Sequence, residues 1–200
     1  MSLPLPLTKH RAVFLDRDGV LIEDVDWLTD IGQIRVLPGV PQALRRLADA
    51  GLRLIVVTNQ PIVARGLATE AQVDALNAAI ADQLVRAGAP VPDRFYVCPH
   101  HPKATLPAYR IICDCRKPRP GMLLRAAADF SIDLQRSFMV GDRITDIAAG
   151  LAAGCRTVWV QTGKHLEPPI QTSDALDPLL KSDWTCADLP AAAEWMVNNP

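Results

Sequence analysis

Ala12-Val13-Phe14-Leu15-Asp16-Arg17-Asp18-Gly19-Val20 is an apolar run that ends abruptly in two carboxylates two residues apart, followed by a glycine. A short apolar run closed by turn residues reads as a buried strand of a parallel sheet. In open α/β sheets the ligand crevice lies at the carboxyl ends of such strands. Strand side chains alternate in direction, so Asp16 and Asp18 are expected to face one crevice with Arg17 pointing away. Gly19 permits the sharp turn that follows. Paired carboxylates without an adjacent base repel each other, so this pair calls for a divalent cation or a raised pKa. Asp-x-Asp-Gly alone is too short to be specific, and the rest of the chain must supply the context.

Working outward, strand and helix signals alternate. Leu21 to Leu37 is patternless. Pro38-Gly39-Val40-Pro41 opens a helix with Val40, Leu44 and Leu47 at helical spacing, and Gly51 stands just past its end. Leu52–Val57 reads as a second strand running into Thr58-Asn59-Gln60. Thr69 and Gln72 form a capping box for a helix carrying Val73, Leu76, Ile80 and Leu84 on one face. Arg94–Val97 is a third strand, Pro120 is placed to begin a helix, and Ser137–Val140 is a fourth strand ending in Gly141-Asp142. A helix from Ile144 to Ala153 stops at Gly154, and Thr157–Gln161 is a fifth strand. Lys164 to Asp183 is proline-rich and weakly patterned, Trp184 marks a sixth strand, and Leu189, Ala193 and Met196 mark a last helix. Strand–helix alternation with short connections predicts an α/β fold, a doubly wound parallel sheet in one domain over residues 1–200. Residues 1–10 read as an extended lead-in.

Composition removes several classes of function. The formal net charge is −1 with both signs interspersed, which excludes an electrostatic case for nucleic acid. No apolar segment approaches the ~18 residues of a membrane span, and the N-terminus lacks the pattern of a secretory signal. Five cysteines, an odd number, point to a reducing cytoplasm rather than to a disulfide framework. A monomer is expected, with no nucleic-acid or membrane partner.

Three predicted strand ends carry polar groups: Asp16 with Asp18, Thr58 with Asn59, and Asp142 with Asp146. Arg116-Lys117-Pro118 arrives from the loop before a helix. Carboxylates offer the hard oxygens that suit magnesium, while a hydroxyl, backbone amides and an ammonium suit phosphoryl oxygens. The combination points to phosphoryl transfer. Residues 98–116 form a second centre. Cys98-Pro-His100-His101-Pro102 and Cys113-Asp-Cys115 offer three thiolates and an imidazole, a spacing that fits a closed, structural Cys₃His zinc site. His100 fits the spacing better than His101. The loop runs straight into Arg116-Lys117, so its metal would position the phosphate-binding lysine.

Asp16-Arg17-Asp18-Gly19, Thr58, Lys117 and Gly141-Asp142-Arg143-Ile144-Thr145-Asp146 resemble the four motifs of the haloacid dehalogenase superfamily, with its Rossmann-like core. The resemblance implies that Asp16 is the nucleophile and forms an aspartyl-phosphate, and that Asp18 is the acid and base. It implies magnesium on Asp16, the Asp18 backbone carbonyl and Asp142, with Thr58 and Lys117 on the transferring phosphoryl group. Asp146 would orient Lys117 or a metal-bound water, or sit as an ordinary acid in the first turn of a helix. The intervals between motifs leave no room for a cap domain.

A capless domain with this zinc loop resembles the branch that dephosphorylates heptose bisphosphates, together with its histidinol-phosphatase relatives. Cys113–Met122, Thr58-Asn59-Gln60, Ala64-Arg65-Gly66 and Thr69–Gln72 carry that likeness. It implies a small phosphosugar substrate that loses its C7 phosphate. Sugar contacts would come from Asp24, Val25, Asp26 and Trp27, from Asn59, Gln60 and Pro61, and from Arg116 and Arg143. The two arginines suit a non-reacting phosphate. This chain departs from the branch at Val20, Asp26-Trp27 and Pro61-Ile62, the last two within the sugar-contacting loops. The competing readings are a phosphatase of histidinol phosphate or another small phosphomonoester, and a non-catalytic phosphosugar-binding or zinc-dependent interaction module.

Overall fold

The structure is a computed structural model that describes residues 9–167 and 180–200. Its sheet has six parallel strands in the order β3-β2-β1-β4-β5-β6. These are β1 (Arg11–Leu15), β2 (Leu52–Asn59), β3 (Arg94–Cys98), β4 (Phe138–Gly141), β5 (Arg156–Val160) and β6 (Trp184–Cys186). The helices are α1 (Val40–Asp49), α2 (Pro61–Ala64), α3 (Glu70–Arg86), α4 (Gly121–Phe130), α5 (Ile144–Ala153) and α6 (Leu189–Asn198).

Alternation along β1 sorts the core into two layers. Val13 and Leu15 pack with α1, α3 and α6 through Leu44, Leu47, Ile80, Leu84 and Met196. Ala12 and Phe14 face the other way, onto Met122, Leu123 and Ala126 of α4 and Ala149 of α5. The chain winds outward from β1 to β3, crosses back, and resumes at β4 beside β1. In this topology the strand order reverses between β1 and β4, and a crevice opens at their carboxyl ends. Asp16 follows β1 and Asp142 follows β4, so the topology itself brings the two acids together.

Several local expectations hold to the residue. Thr69 and Gln72 make both bonds of a capping box at α3. Gly51 and Gly154 adopt positive φ just past helix ends. Others shift. Thr58 and Asn59 still pair with β3, through Val97 and Cys98, and so belong to β2. Pro120 caps α4 from outside rather than beginning it. The stretch read as patternless contains a 3₁₀ turn, Ile31–Gln33, closed by an Asp30–Gln33 capping box. The short α2 was not expected, because four residues are too few for a periodicity to register. No inserted domain stands between Asp18 and Thr58 or between Thr58 and Lys117. The expected N-terminal lead-in lies largely outside the described residues, although His10 already pairs with Ile132. Much of the proline-rich stretch after Lys164 also lies outside them. Among the described residues no helix is long and apolar enough to cross a membrane.

Candidate active site

The crevice over the β1–β4 switch has a volume of about 440 Å³, and every residue expected to react with or contact substrate lines it. Asp142 lies beneath, fully buried. At the floor Lys117 is 2% exposed, and its Nζ reaches Asp16 Oδ1 at 2.9 Å, Asp146 Oδ1 at 2.6 Å and the Val57 carbonyl at 2.9 Å. Asp146 therefore orients Lys117, and its Oδ2 also accepts the Arg143 N–H at 3.0 Å, capping α5. The contact to Lys117 and the place in the first turn of α5 thus occur together in one side chain. Gly141 is required for this, because a Cβ there would lie 2.1 Å from the Cβ of Asp146.

The three buried acids carry an excess of negative charge. Carboxylate oxygens of Asp16, Asp142 and Asp146 lie within 4.8 Å of one another, and Asp142 Oδ1 is buried without a hydrogen-bond partner. Lys117 offsets one charge, leaving a formal excess of two. Burial, then Asp146 and Asp16, pushes the Asp142 carboxyl up to about 8. Burial pushes Asp16 up to about 6 against the pull of Lys117. An orphaned carboxylate oxygen among clustered acids fits a hard divalent cation.

Arg17 corrects the expectation that it points away. The strand ends at Leu15, so strict alternation no longer governs the residues beyond it. Arg17 is 1% exposed, and its Nε and Nη2 fork onto the Asp18 carboxylate at 3.1–3.3 Å while Nη1 donates to Asn77 of α3 at 2.9 Å. Gln60 Nε2 donates to Asp18 Oδ2 and to Thr58 Oγ1, each at 2.8 Å. Asn59 spends its amide on the Lys117 backbone, donating to its carbonyl and accepting from its N–H, both at 3.1 Å. Asn59 thus places the lysine as well as lining the crevice.

The rim is charged. Arg143 Nη2 pairs with Asp24 at 3.4 Å and with Glu167 at 3.5 Å, and Lys164 Nζ contacts Asp26. The Lys164 N–H donates to Asp142 Oδ2 at 2.6 Å. Lys164 and Arg65, which also line the crevice, were missed in the sequence. A signal existed for the first, since Thr162-Gly163-Lys164 follows β5 as the other polar strand ends follow theirs.

Cys98, His100, Cys113 and Cys115 converge beside this floor. Their sulfurs lie 3.2–3.6 Å apart, and His100 Nδ1 lies 3.5 Å from Cys115 Sγ and 3.9 Å from Cys98 Sγ. A disulfide needs about 2.05 Å, whereas ligands of one tetrahedral zinc stand about 3.6–3.8 Å apart. The four donors could therefore hold zinc. The Cys98 thiol, first among its neighbours, draws the Cys115 pKa down to about 5, so a thiolate is available at neutrality. His101 stands outside the cluster, its Nδ1 accepting the Lys103 N–H at 3.0 Å. Arg116 Nη1 donates to the His100 carbonyl at 3.0 Å, tying the cluster to the crevice wall.

A parallel sheet with clustered aspartates and a buried lysine at its switch point defines a phosphatase of the haloacid dehalogenase type. A family model described as "HAD-hyrolase-like" matches residues 114–192. The chain is 42% identical over 186 residues to D-glycero-beta-D-manno-heptose-1,7-bisphosphate 7-phosphatase of Escherichia coli (strain K12), covering 90% of this chain and 92% of that protein. It is 44% identical over 147 residues to the protein of the same name from Rhodopseudomonas palustris, covering 73% and 81%. A crystal structure of D,D-heptose 1,7-bisphosphate phosphatase from B. bronchiseptica, complexed with magnesium and phosphate, superposes with a TM-score of 0.79 at 33% identity, covering 95% of this chain and 99% of that one. The chain belongs to the D-glycero-beta-D-manno-heptose-1,7-bisphosphate 7-phosphatase family, and it is a phosphoric monoester hydrolase.

Proposed function

We propose that this chain, a monomer in the cytoplasm, removes the C7 phosphate of a D-glycero-D-manno-heptose 1,7-bisphosphate and leaves heptose 1-phosphate for nucleotide-activated heptose synthesis. The carrying observation is Asp16, held by buried Lys117 at the floor of an uncapped crevice whose rim bears arginines for a second phosphate. The names of the relatives support the sugar.

Asp16 Oδ1 already accepts from Lys117 and from the Arg17 N–H at 2.7 Å, which leaves Oδ2 to attack phosphorus. The bond from Asp16 to phosphorus forms as the bond from phosphorus to the C7 oxygen breaks. Asp18, as the general acid, delivers a proton to the leaving alkoxide. It then takes a proton from the water that attacks phosphorus, and inorganic phosphate leaves as the Asp16 carboxylate is restored. Arg17 and Gln60 hold Asp18 in position for both transfers. Because Thr58 Oγ1 accepts from Gln60, its own hydrogen can donate to a phosphoryl oxygen, alongside Lys117. Magnesium would be held by Asp16, the Asp18 backbone carbonyl and Asp142, and when bound would offset the negative charge that an anionic phosphate meets. Zinc would be held by Cys98, His100, Cys113 and Cys115 as a closed structural site.

Phosphate release from both heptose 1,7-bisphosphate anomers and from histidinol phosphate, with and without magnesium, tests this reading. One heptose anomer is expected to be turned over fastest, and only with magnesium. Faster turnover of histidinol phosphate would overturn the sugar assignment.

The buried acids add a pH dependence. An acid whose pKa is raised keeps its proton at neutrality, and a cation displaces that proton on binding. With Asp142 at about 8 and Asp16 at about 6, magnesium binding near pH 7 is expected to release close to one proton per ion. Affinity should weaken as pH falls from about 8 to about 6. Calorimetry in buffers of different ionisation heat reads the proton directly, and a pH-independent affinity would contradict this account.

A further inference from the structure

Arg65 takes no part in the chemistry described above. It stands at the exposed C-terminal end of α2, and its guanidinium lies 4.9 Å from the centre of the Trp27 ring. Both residues line the crevice, one from each side of it in sequence: the loop after the first aspartates and the helix after Gln60. Trp27 is 40% exposed, so its ring stays open to the crevice it lines. Its approach is set by Asp26, which holds a φ of 63°, in the left-handed region that few non-glycine residues occupy. The turn is fixed by Asp24 Oδ1, which accepts the Asp26 N–H at 3.0 Å, and by the Trp27 N–H on the Val25 carbonyl at 2.7 Å. Strain of this kind persists where the surroundings hold it and is common at ligand clamps.

The rim cations divide into two pairs. Arg143 and Lys164 are already matched by Asp24, Asp26 and Glu167. Arg65 and Arg116 have no carboxylate within ion-pair distance among the described residues. Two guanidiniums that line one crevice, neither matched by a carboxylate among the described residues, suit a dianionic phosphate. That phosphate is not the one that reacts, since Asp16 and Lys117 lie at the buried floor while Arg65 is at the exposed rim.

We infer that Arg65, held in place by the Trp27 indole, binds the phosphate that does not react and so sets the preference for a bisphosphate over a monophosphate. This rests on the function proposed above. Arg65→Gln is expected to raise KM for heptose 1,7-bisphosphate about tenfold more than KM for heptose 7-phosphate, with kcat for the bisphosphate little changed. Arg65→Lys should recover part of the difference. Trp27→Leu should shift the same ratio by a smaller factor, Trp27→Phe should restore it, and Trp27→Leu should add nothing in the Arg65→Gln background. Equal KM changes for both substrates would overturn the inference, as would a Trp27 effect that is the same with and without Arg65. A wild-type protein inert toward the bisphosphate would instead sink the proposed function itself, and this inference with it.

Discussion

Replacing Asp16 by Asn is expected to lower phosphate release by at least about four orders of magnitude while leaving the fold intact. The substitution keeps the shape of the side chain, and Oδ1 can still accept from the Arg17 N–H and from Lys117. What is lost is the anionic oxygen that attacks phosphorus, for which the crevice holds no substitute: Asp18 is forked by Arg17 and Gln60, and Asp146 is committed to Lys117 and the α5 cap. Stability should move the other way. Burial raises the Asp16 pKa to about 6, so its charged form is disfavoured in the fold. A folded pKa above the unfolded value means that the native state binds more protons, and stability from this group declines as pH rises through the interval. Asn removes that penalty, so without added magnesium the variant should melt no lower than the wild type at pH 8. Thermal unfolding beside a phosphate-release assay separates the two effects. Retained turnover would remove Asp16 from the mechanism, and a large drop in melting temperature would make its role structural.

The second large effect is expected from the Cys/His cluster. Cys113→Ser should take bound zinc from one ion per chain to none and lower the melting temperature by roughly 10 °C, the size expected if a few kcal/mol of metal-linked stability is lost from a domain of this length. Activity should fall as well, although no cluster residue touches the reacting phosphate. Residues 98–116 bury few apolar side chains of their own, with Leu106, Ile111 and Ile112 exposed, and past the end of β3 the 3₁₀ turn Pro107–Tyr109 is their one element of regular structure. The cluster anchors this loop next to Lys117, through the Arg116 bond to the His100 carbonyl and the Arg119 bond to the Cys113 carbonyl at 3.3 Å. Released from the cluster, Lys117 would retain Asn59 but lose its flanking supports. Metal analysis with thermal unfolding checks the prediction. Undiminished zinc in the variant would place the metal elsewhere, and full activity in a zinc-free protein would disconnect the cluster from the lysine.

Much of this was legible in the chain. The apolar run before Asp16, the Thr69–Gln72 box, and the glycines after α1 and α5 are signals a few residues long, and the geometry of one strand or one helix end decides them. Strand ends were therefore nearly right, and the rule that parallel strands deliver their carboxyl ends to one crevice was enough to assemble Asp16, Thr58, Lys117 and Asp142 before any contact was known. The Cys/His pairing was equally local in spacing.

The contacts that tune the site were not legible. Arg17 folds back under Asp18 because β1 stops one residue before Asp16 and Asn77 of α3 stands within reach. Asn59 serves the Lys117 backbone because the loop after residue 98 returns beside β2, 58 residues later. Trp27 meets Arg65, and Lys164 meets Asp142, only after the sheet has closed the distance between them. The sequence by itself determined the strand order's raw material, the aspartates that gather at the crevice and the Cys/His donor set, since each depends on periodicity or spacing within a short window. Tertiary structure alone decided which rim charges are matched, which arginines are left without a carboxylate partner among the described residues, and where Arg17 points, because those outcomes depend on chain segments that share no local pattern.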